Sequence, residues 1–225
     1  MGSVQVIIAA LNEELGVGPT IQELQKYLFK PHIIVVDGNS ADRTLDRAKE
    51  YGAETLLQDG YGKGNALTNG IRHIDDDSEY VVLTDADFTY PAQYVPEMID
   101  ILEKNPNVGM VCGDRSDGYS EKNVSGFVFY LGNRLLAFLH NRINGVKVDD
   151  PLTGLRVIRA TIVKDRAFKS QGFDVEVELN SQVIKSGYNV TETPIVYRKR
   201  IGKKKLKLKH ALVILRRIFS ERFAF

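Results

Sequence analysis

The chain has one cysteine, Cys112, among 225 residues, which excludes an intramolecular disulfide framework. Cys112 lies in the apolar run VGMVCG, where a buried structural thiol is expected, and a reducing compartment fits. Histidine is scarce as well. His32, His73, His140 and His210 all lie outside recognisable motifs, so the sequence offers no histidine-based catalytic set. No stretch approaches the roughly 20 consecutive apolar residues of a bilayer-spanning helix, so an integral membrane segment is not expected in this sequence. The amino terminus, MGSVQVIIAALNEE, lacks a basic region and a small-residue cleavage site, and reads as a first strand. Repeats, low-complexity tracts and long linkers are also missing, so one continuous domain is expected.

Hydrophobic residues make up 43% of the chain, enough for the core of one substantial α/β domain. The net charge of +1 hides a strong asymmetry. After residue 197, eleven Lys and Arg oppose only Glu221, so the terminus carries +10 and the body before it −9. Such a split points to an anionic surface or a phosphate partner. Nucleic acid fits poorly, because the body is acidic and carries no recognisable binding motif.

Apolar β-branched runs at 4–10, 33–36, 54–57, 80–84 and 109–112 read as strands, with helices at 21–29, 42–51, 65–73 and 94–104 and Asp42 as an N-cap. Strict alternation implies a mostly parallel sheet covered on both faces, with functional residues at the carboxyl ends of its strands. Asn12 and Glu13 follow the first strand, Asp37 the second, and Asp85 and Asp87 the fourth. Beyond a polar loop at 114–125 come a long helix at 126–144, the segment DDPLTGLRVIRA, a helix at 175–185 and a strand at 189–198.

Asp85 and Asp87, in VVLTDADFTYP, set two carboxylates at a strand end. Hard oxygen ligands there can hold Mg²⁺ or Mn²⁺ and leave coordination positions for phosphate and water; two loop aspartates capping the next helix are the alternative. In IIVVDGNSADRT, Asp37 can accept hydrogen bonds from a base or ribose, or can serve the turn alone. DGYGKGNALTNG has neither Walker nor dinucleotide spacing. Its glycines Gly60, Gly62 and Gly64 suit close backbone approach to a ligand, with Lys63 available to a phosphate or to aspartates. Asp75, Asp76 and Asp77 read as a solvated loop, whereas Asp174 and Glu176 in GFDVEVEL can line a pocket. In the basic terminus Leu208, Leu212, Leu215, Ile218 or Phe219, and Phe223 recur at helical spacing. A basic amphipathic helix over 207–225 is expected, lying on a membrane surface. Packing on the domain of residues 1–206, or on a second copy in a homo-oligomer, is the alternative.

The series ALNEE, VVDGNSADRT, GKGNAL, DADFTYP, GDR, DPLTGLR and RIGKKKL resembles, in this order, the family 2 glycosyltransferases of GT-A fold. Within them it is most similar to the dolichyl-phosphate mannose synthase and polyprenyl-phosphate glycosyltransferase group, over nearly the whole chain. The resemblance implies an inverting transfer of a hexose from a nucleotide-sugar (GDP-mannose, UDP-glucose or UDP-N-acetylglucosamine) to a dolichyl or polyprenyl phosphate, at the cytoplasmic face of a membrane. By it, Leu11, Asn12, Glu13 and Asp37 border the nucleotide, with Lys63 near it. Asp85, Ala86 and Asp87 contact the metal, Mg²⁺ or Mn²⁺, and the diphosphate. Arg115 approaches the sugar or acceptor, and Arg200 and Lys205 belong to a late loop closing over the phosphates. The sequence departs from the pattern twice. Thr89 stands where the family often has Gln, and SEKNVSGFVFY lacks the arginine that mannose synthases place before the long helix, leaving Lys122 or Arg134 as substitutes.

Overall fold

The computed structural model describes residues 2–116, 124–203, 205 and 209–222, without the side chains of 124–130 and 209. Lys122, Lys204, Leu206, Lys207, Leu208 and Phe223 lie outside the described residues or side chains. The strands are β1 (Val4–Ala10), β2 (His32–Asp37), β3 (Glu54–Leu57), β4 (Tyr80–Asp85), β5 (Val108–Asp114), β6 (Arg156–Arg159) and β7 (Asn189–Pro194). The helices are α1 (Val17–Tyr27), α2 (Thr44–Glu50), α3 (Gly62–Ile71), α4 (Val95–Lys104), α5 (Val124–Asn144), α6 (Ala160–Val163), α7 (Val175–Lys185) and α8 (Lys209–Arg222).

One seven-stranded sheet runs in the order β3-β2-β1-β4-β6-β5-β7. All pairings are parallel except those of β6, which runs antiparallel to both β4 and β5. The expected mostly parallel, helix-covered sheet is present, but strict alternation fails at β6. That strand, RVIR, is short and half cationic, so it carries no apolar signal; Arg159 reaches the Leu102 and Val108 carbonyls instead of solvent.

Alternate residues of the central strands feed opposite faces, as a period of two requires. Val6, Ile8, Ile33 and Val35 join Ile21, Leu24, Met98, Ile99 and Leu102 under α1 and α4. Ile7, Ile34 and Val36 join Leu67, Ile71, Leu179 and Val183 under α3 and α7. Burial on both faces explains why β1 and β2 are continuous apolar runs. Helix α1 starts at Val17, four residues before its expected start at 21. Gly16 and Gly18 resemble breakers but serve packing, since a Cβ at Gly16 would lie 2.5 Å from the Ala86 carbonyl and one at Gly18 2.5 Å from the Tyr51 ring.

Beyond β3 the order reverses: β1 leads to β2 and β3 on one side, and β4 pairs with β1 on the other. Such a reversal opens a crevice at the carboxyl ends of the two central strands. Asn12 and Glu13 leave β1 on one side of it, and Asp85 to Asp87 leave β4 on the other.

Gly70 on α3 shows how tightly the layers meet, because a Cβ there would collide with Ile7 Cγ2 and come within 3.1 Å of Val36 Cγ2. Gly70→Val is expected to cost about 1–3 kcal/mol by overpacking. Thermal unfolding checks this, with a melting temperature lower by about 2–4 °C for each kcal/mol.

Candidate active site

The chain leaves β4 through Asp85-Ala86-Asp87 and turns sharply, with Phe88 in the left-handed region at φ 63°. A non-glycine residue there is uncommon and marks a backbone held by its surroundings. The guanidinium of Arg198 lies over the Phe88 ring, 4.6 Å from its centroid. Thr89 donates from its backbone N–H (3.1 Å) and its hydroxyl (2.6 Å) to Asp87 Oδ1. Thr89 therefore orients Asp87, and Oδ2 is left to face Arg200 at 2.5 Å.

Four carboxylates and three cations meet at these strand ends. Lys63, the second residue of α3, bridges Asp85 Oδ1 (2.6 Å) and Glu176 Oε1 on α7 (2.8 Å). Arg200 bonds both Asp87 and Glu13, and Lys205 also bonds Glu13. Burial opposes the charge on Lys63, yet Asp85 and Glu176 outweigh it and keep the ammonium protonated. Burial likewise disfavours ionised Asp85, but Lys63, with Arg200 and Arg115, holds its carboxyl below the usual range. Asp87 moves the other way, raised by burial and by the Asp85 charge. Burial also raises Glu13 against the pull of Lys205 and Arg200. Strongly perturbed carboxylates of this kind cluster at functional sites.

The donor set fits a hard divalent cation. Asp85 and Asp87 offer carboxylate oxygens at one strand end, and Glu13 Oε2 and Glu176 Oε2 are buried without a partner. No cluster of three or more His, Cys, Asp or Glu suited to a metal occurs among the described residues. Two carboxylates plus substrate phosphates and water is the coordination that Mg²⁺ commonly takes.

The remaining residues singled out in the sequence sort by contact. Asp37 serves its turn, accepting from Ser40 N–H (2.9 Å) and Ser40 Oγ (2.5 Å). Asn12, at φ 49°, accepts from Ala41 N–H, so the β1 and β2 ends are knitted together beside partly exposed Leu11. Asp42 accepts from Thr44 N–H, consistent with helix capping, although Arg43 occupies the N-cap position itself. Gly62 and Gly64 admit close backbone approach, but from the chain's own Ser170 and Gln171 carbonyls, not from a ligand. Asp174 does not join the cluster; it pairs with Arg217 of α8 at 3.0 Å. Arg134 is exposed and meets Asp149 at 3.3 Å. Asp75 and Asp76 are solvated as expected, paired with His32 and Lys164.

Arg115, at the end of β5, is buried and clasped by Asp150, Nε to Oδ2 at 2.5 Å and Nη2 to Oδ1 at 2.7 Å. Its guanidinium also lies 5.3 Å from the centre of the Tyr197 ring. Asp150 lies in the DPLTGLR motif but had no role expected of it, and Glu192 was not marked in the sequence. Glu192 accepts the backbone N–H groups of Asp149 (2.6 Å) and Asp150 (2.7 Å), fixing the loop that carries the Arg115 partner. No short-range pattern marks Glu192, because the residues it holds lie more than forty positions away.

A sheet with its crevice at the β1–β4 reversal, acidic strand ends and cationic cover define the GT-A class of glycosyltransferase. Residues 5–166 match Glycosyl transferase family 2, and the chain belongs to that family. It is 31% identical over 202 residues to the dolichyl-phosphate hexose transferase of Haloferax volcanii, covering 89% of this chain and 85% of that protein. It is 26% identical over 231 residues to the dolichol-phosphate mannosyltransferase of Pyrococcus furiosus, covering 96% of this chain and 62% of that one. It spans only 63% and 50% of the length of two further Haloferax relatives. Among solved structures, glucosyl-3-phosphoglycerate synthase from Mycobacterium tuberculosis, bound to Mn²⁺, UDP-glucose and phosphoglyceric acid, superposes with a TM-score of 0.76. That match has 20% identity and covers 99% of this chain and 80% of the other, a likeness of fold.

Burial pushes Glu192 up to about 7. Its folded-state value exceeds the unfolded one, so its contribution to stability is complete below about pH 4.5 and is lost as pH rises through about 7. Glu192→Gln is expected to remove that component. Melting temperatures of the two proteins measured from pH 5 to 8 check it: the advantage of the parent over the variant declines as pH rises.

Proposed function

We propose that this glycosyltransferase moves a hexose from a nucleotide-sugar to a dolichyl or polyprenyl phosphate, with inversion, at a membrane surface. The observation that carries this reading is the Asp85–Asp87 pair at the sheet reversal, enclosed by Lys63, Arg200 and Lys205. The similarity to a dolichyl-phosphate hexose transferase and a dolichol-phosphate mannosyltransferase supports the acceptor class. GDP-mannose and UDP-hexoses such as UDP-glucose or UDP-N-acetylglucosamine are the donor candidates.

In the proposed reaction an acceptor phosphate oxygen bonds to the anomeric carbon as the bond from that carbon to the donor diphosphate breaks. The diphosphate leaves with the electron pair. A phosphate acceptor is already ionised at neutral pH and needs no strong base. A saccharide hydroxyl would need one, and the two candidates at the start of α7 are engaged by cations, the N-cap residue Asp174 by Arg217 and Glu176 by Lys63. Mg²⁺ or Mn²⁺ held by Asp85 and Asp87 would neutralise charge on the departing diphosphate. Asn12, Asp37 and Leu11 border the nucleoside end. Arg200 and Lys205 bring positive charge to the phosphates, and Arg115 faces the transferred sugar or the acceptor. Thr89, which stands where the family often has Gln, holds Asp87 directly.

The membrane seat rests on α8 and its neighbour α5. Ile214 and Ile218 turn inward against Leu136 and Val177, so part of the expected apolar stripe packs on the domain. Leu212 and Phe219 remain exposed on α8, as do Leu131, Leu135 and Phe138 on α5. Exposed Arg142, Arg216 and Arg222 accompany them, a combination suited to anionic headgroups. No helix among the described residues is long and apolar enough to cross a membrane.

Asp87→Ala is expected to lower Mn²⁺-dependent transfer to a short polyprenyl phosphate at least roughly 100-fold; full activity in this variant contradicts the metal assignment. For the surface, flotation with anionic vesicles is expected for the parent and lost in Leu212→Ser/Phe219→Ser, whose substitutions spare the inward face of α8. Equal flotation of both proteins would count against the seat.

A further inference from the structure

Arg156, the first residue of β6, is 1% exposed. Its guanidinium spends its donors on neutral acceptors: Pro151 O at 2.6 Å, Thr153 O at 3.0 Å and Asn180 Oδ1 at 2.6 Å, with Met110 Sδ at 3.6 Å. Among the described residues no carboxylate pairs with it. A buried cation without a counter-charge is costly, and an apolar side chain of similar volume is usually the more stable choice. Packing alone therefore does not account for an arginine here.

The two carbonyls it grips belong to the loop between Asp150 and Leu155, which acts on the proposed site from both ends. At one end Asp150 clasps Arg115. At the other, Gly154 lies against Asp85, where a Cβ would come within 2.7 Å of Oδ2. Gly154 N–H also donates to Tyr90 Oη (2.7 Å), which accepts from Arg115 as well (3.1 Å). Arg156, Gly154, Lys63 and Glu176 border one gap with no room for a water molecule, so the Arg156 side chain neighbours two members of the Lys63–Asp85–Glu176 bridge. From its far side Asn180 extends the chain to buried His140 (3.0 Å) and to the Pro151 carbonyl. Burial, with the Arg156 charge, holds His140 down to about 4, so the ring is neutral and adds no second charge.

We propose that Arg156 is a positioning residue of the transfer: by fixing the curvature of the 150–155 loop it sets Asp85 for the metal and Arg115 for the sugar or acceptor. The inference rests on the metal site assigned above. A planar fork that satisfies three oxygens at once cannot be replaced by an ammonium point charge, so Arg156→Lys keeps the charge and loses the geometry.

The test measures Mn²⁺ binding to the full chain with UDP and with GDP, following the electron paramagnetic resonance signal of free Mn²⁺, beside kcat and thermal unfolding. Arg156→Lys is expected to raise the half-saturating Mn²⁺ concentration roughly 10-fold, the lower end of what loss of an outer-shell partner brings. Its kcat falls, while nucleotide affinity without metal stays at the parent value. Asn180→Ala, which removes one acceptor and spares the charge, is expected to shift the same midpoint less far, and it serves where Arg156→Lys does not fold. A folded Arg156→Lys, or in its place Asn180→Ala, with the parent's Mn²⁺ midpoint and kcat overturns the proposal. If the parent itself binds no Mn²⁺, the metal site fails and the inference with it.

Discussion

Lys63 between Asp85 and Glu176 is the interaction on which the rest of the site depends. Its ammonium joins the start of α3, the end of β4 and the first turn of α7, three elements that meet only through the fold. Without it, two carboxylates would lie side by side in a partly buried crevice, and their repulsion would oppose the packing of α7 on the sheet. With it, Asp85 stays ionised against its burial. The same bridge explains the glycines around Lys63. The chain at Ser170 and Gln171, leading into α7, must lie directly on the α3 amino terminus, and a side chain at Gly62 or Gly64 would hold it off.

A second set of pairs closes the crevice from the carboxy-terminal side. Arg200 and Lys205 both reach Glu13 across about 190 residues of sequence, and Arg200 also pairs with Asp87. In the proposed reaction they are the cations that would turn to the donor diphosphate, exchanging the Glu13 and Asp87 carboxylates for phosphate oxygens. Behind this surface, Asp150, Glu192 and Arg156 stiffen one loop through its carboxylate, its N–H groups and its carbonyls in turn. In the proposed reaction a rigid support of that kind would keep the metal and the sugar in register.

Much of the fold was legible in the sequence, because β1, β2 and β4 are buried on both faces and announce themselves as apolar runs. The Asp85–Asp87 motif was legible for the same reason: the strand delivers it. Strand β6 was hidden by its two arginines, and the first turn of α1 by glycines whose role is contact. Long-range ion pairs were the least visible. Glu176 was marked as a pocket residue without its partner Lys63, and its neighbour Asp174 was assigned to the pocket although it ties α7 to α8. Arg115 was expected to face substrate, and the structure adds the Asp150 clasp that holds it. Two positions separate residues with different fates, and only tertiary contact decides between them.

The most direct measurement offers GDP-mannose, UDP-glucose and UDP-N-acetylglucosamine in turn, with a polyprenyl phosphate and a free oligosaccharide together, with and without Mn²⁺. A metal-bridged donor site facing a lipid phosphate predicts one nucleotide-sugar that yields a lipid-phosphate-linked hexose of inverted configuration, only when the metal is present. Transfer to the oligosaccharide in preference to the lipid phosphate, or equal transfer without divalent metal, would contradict it.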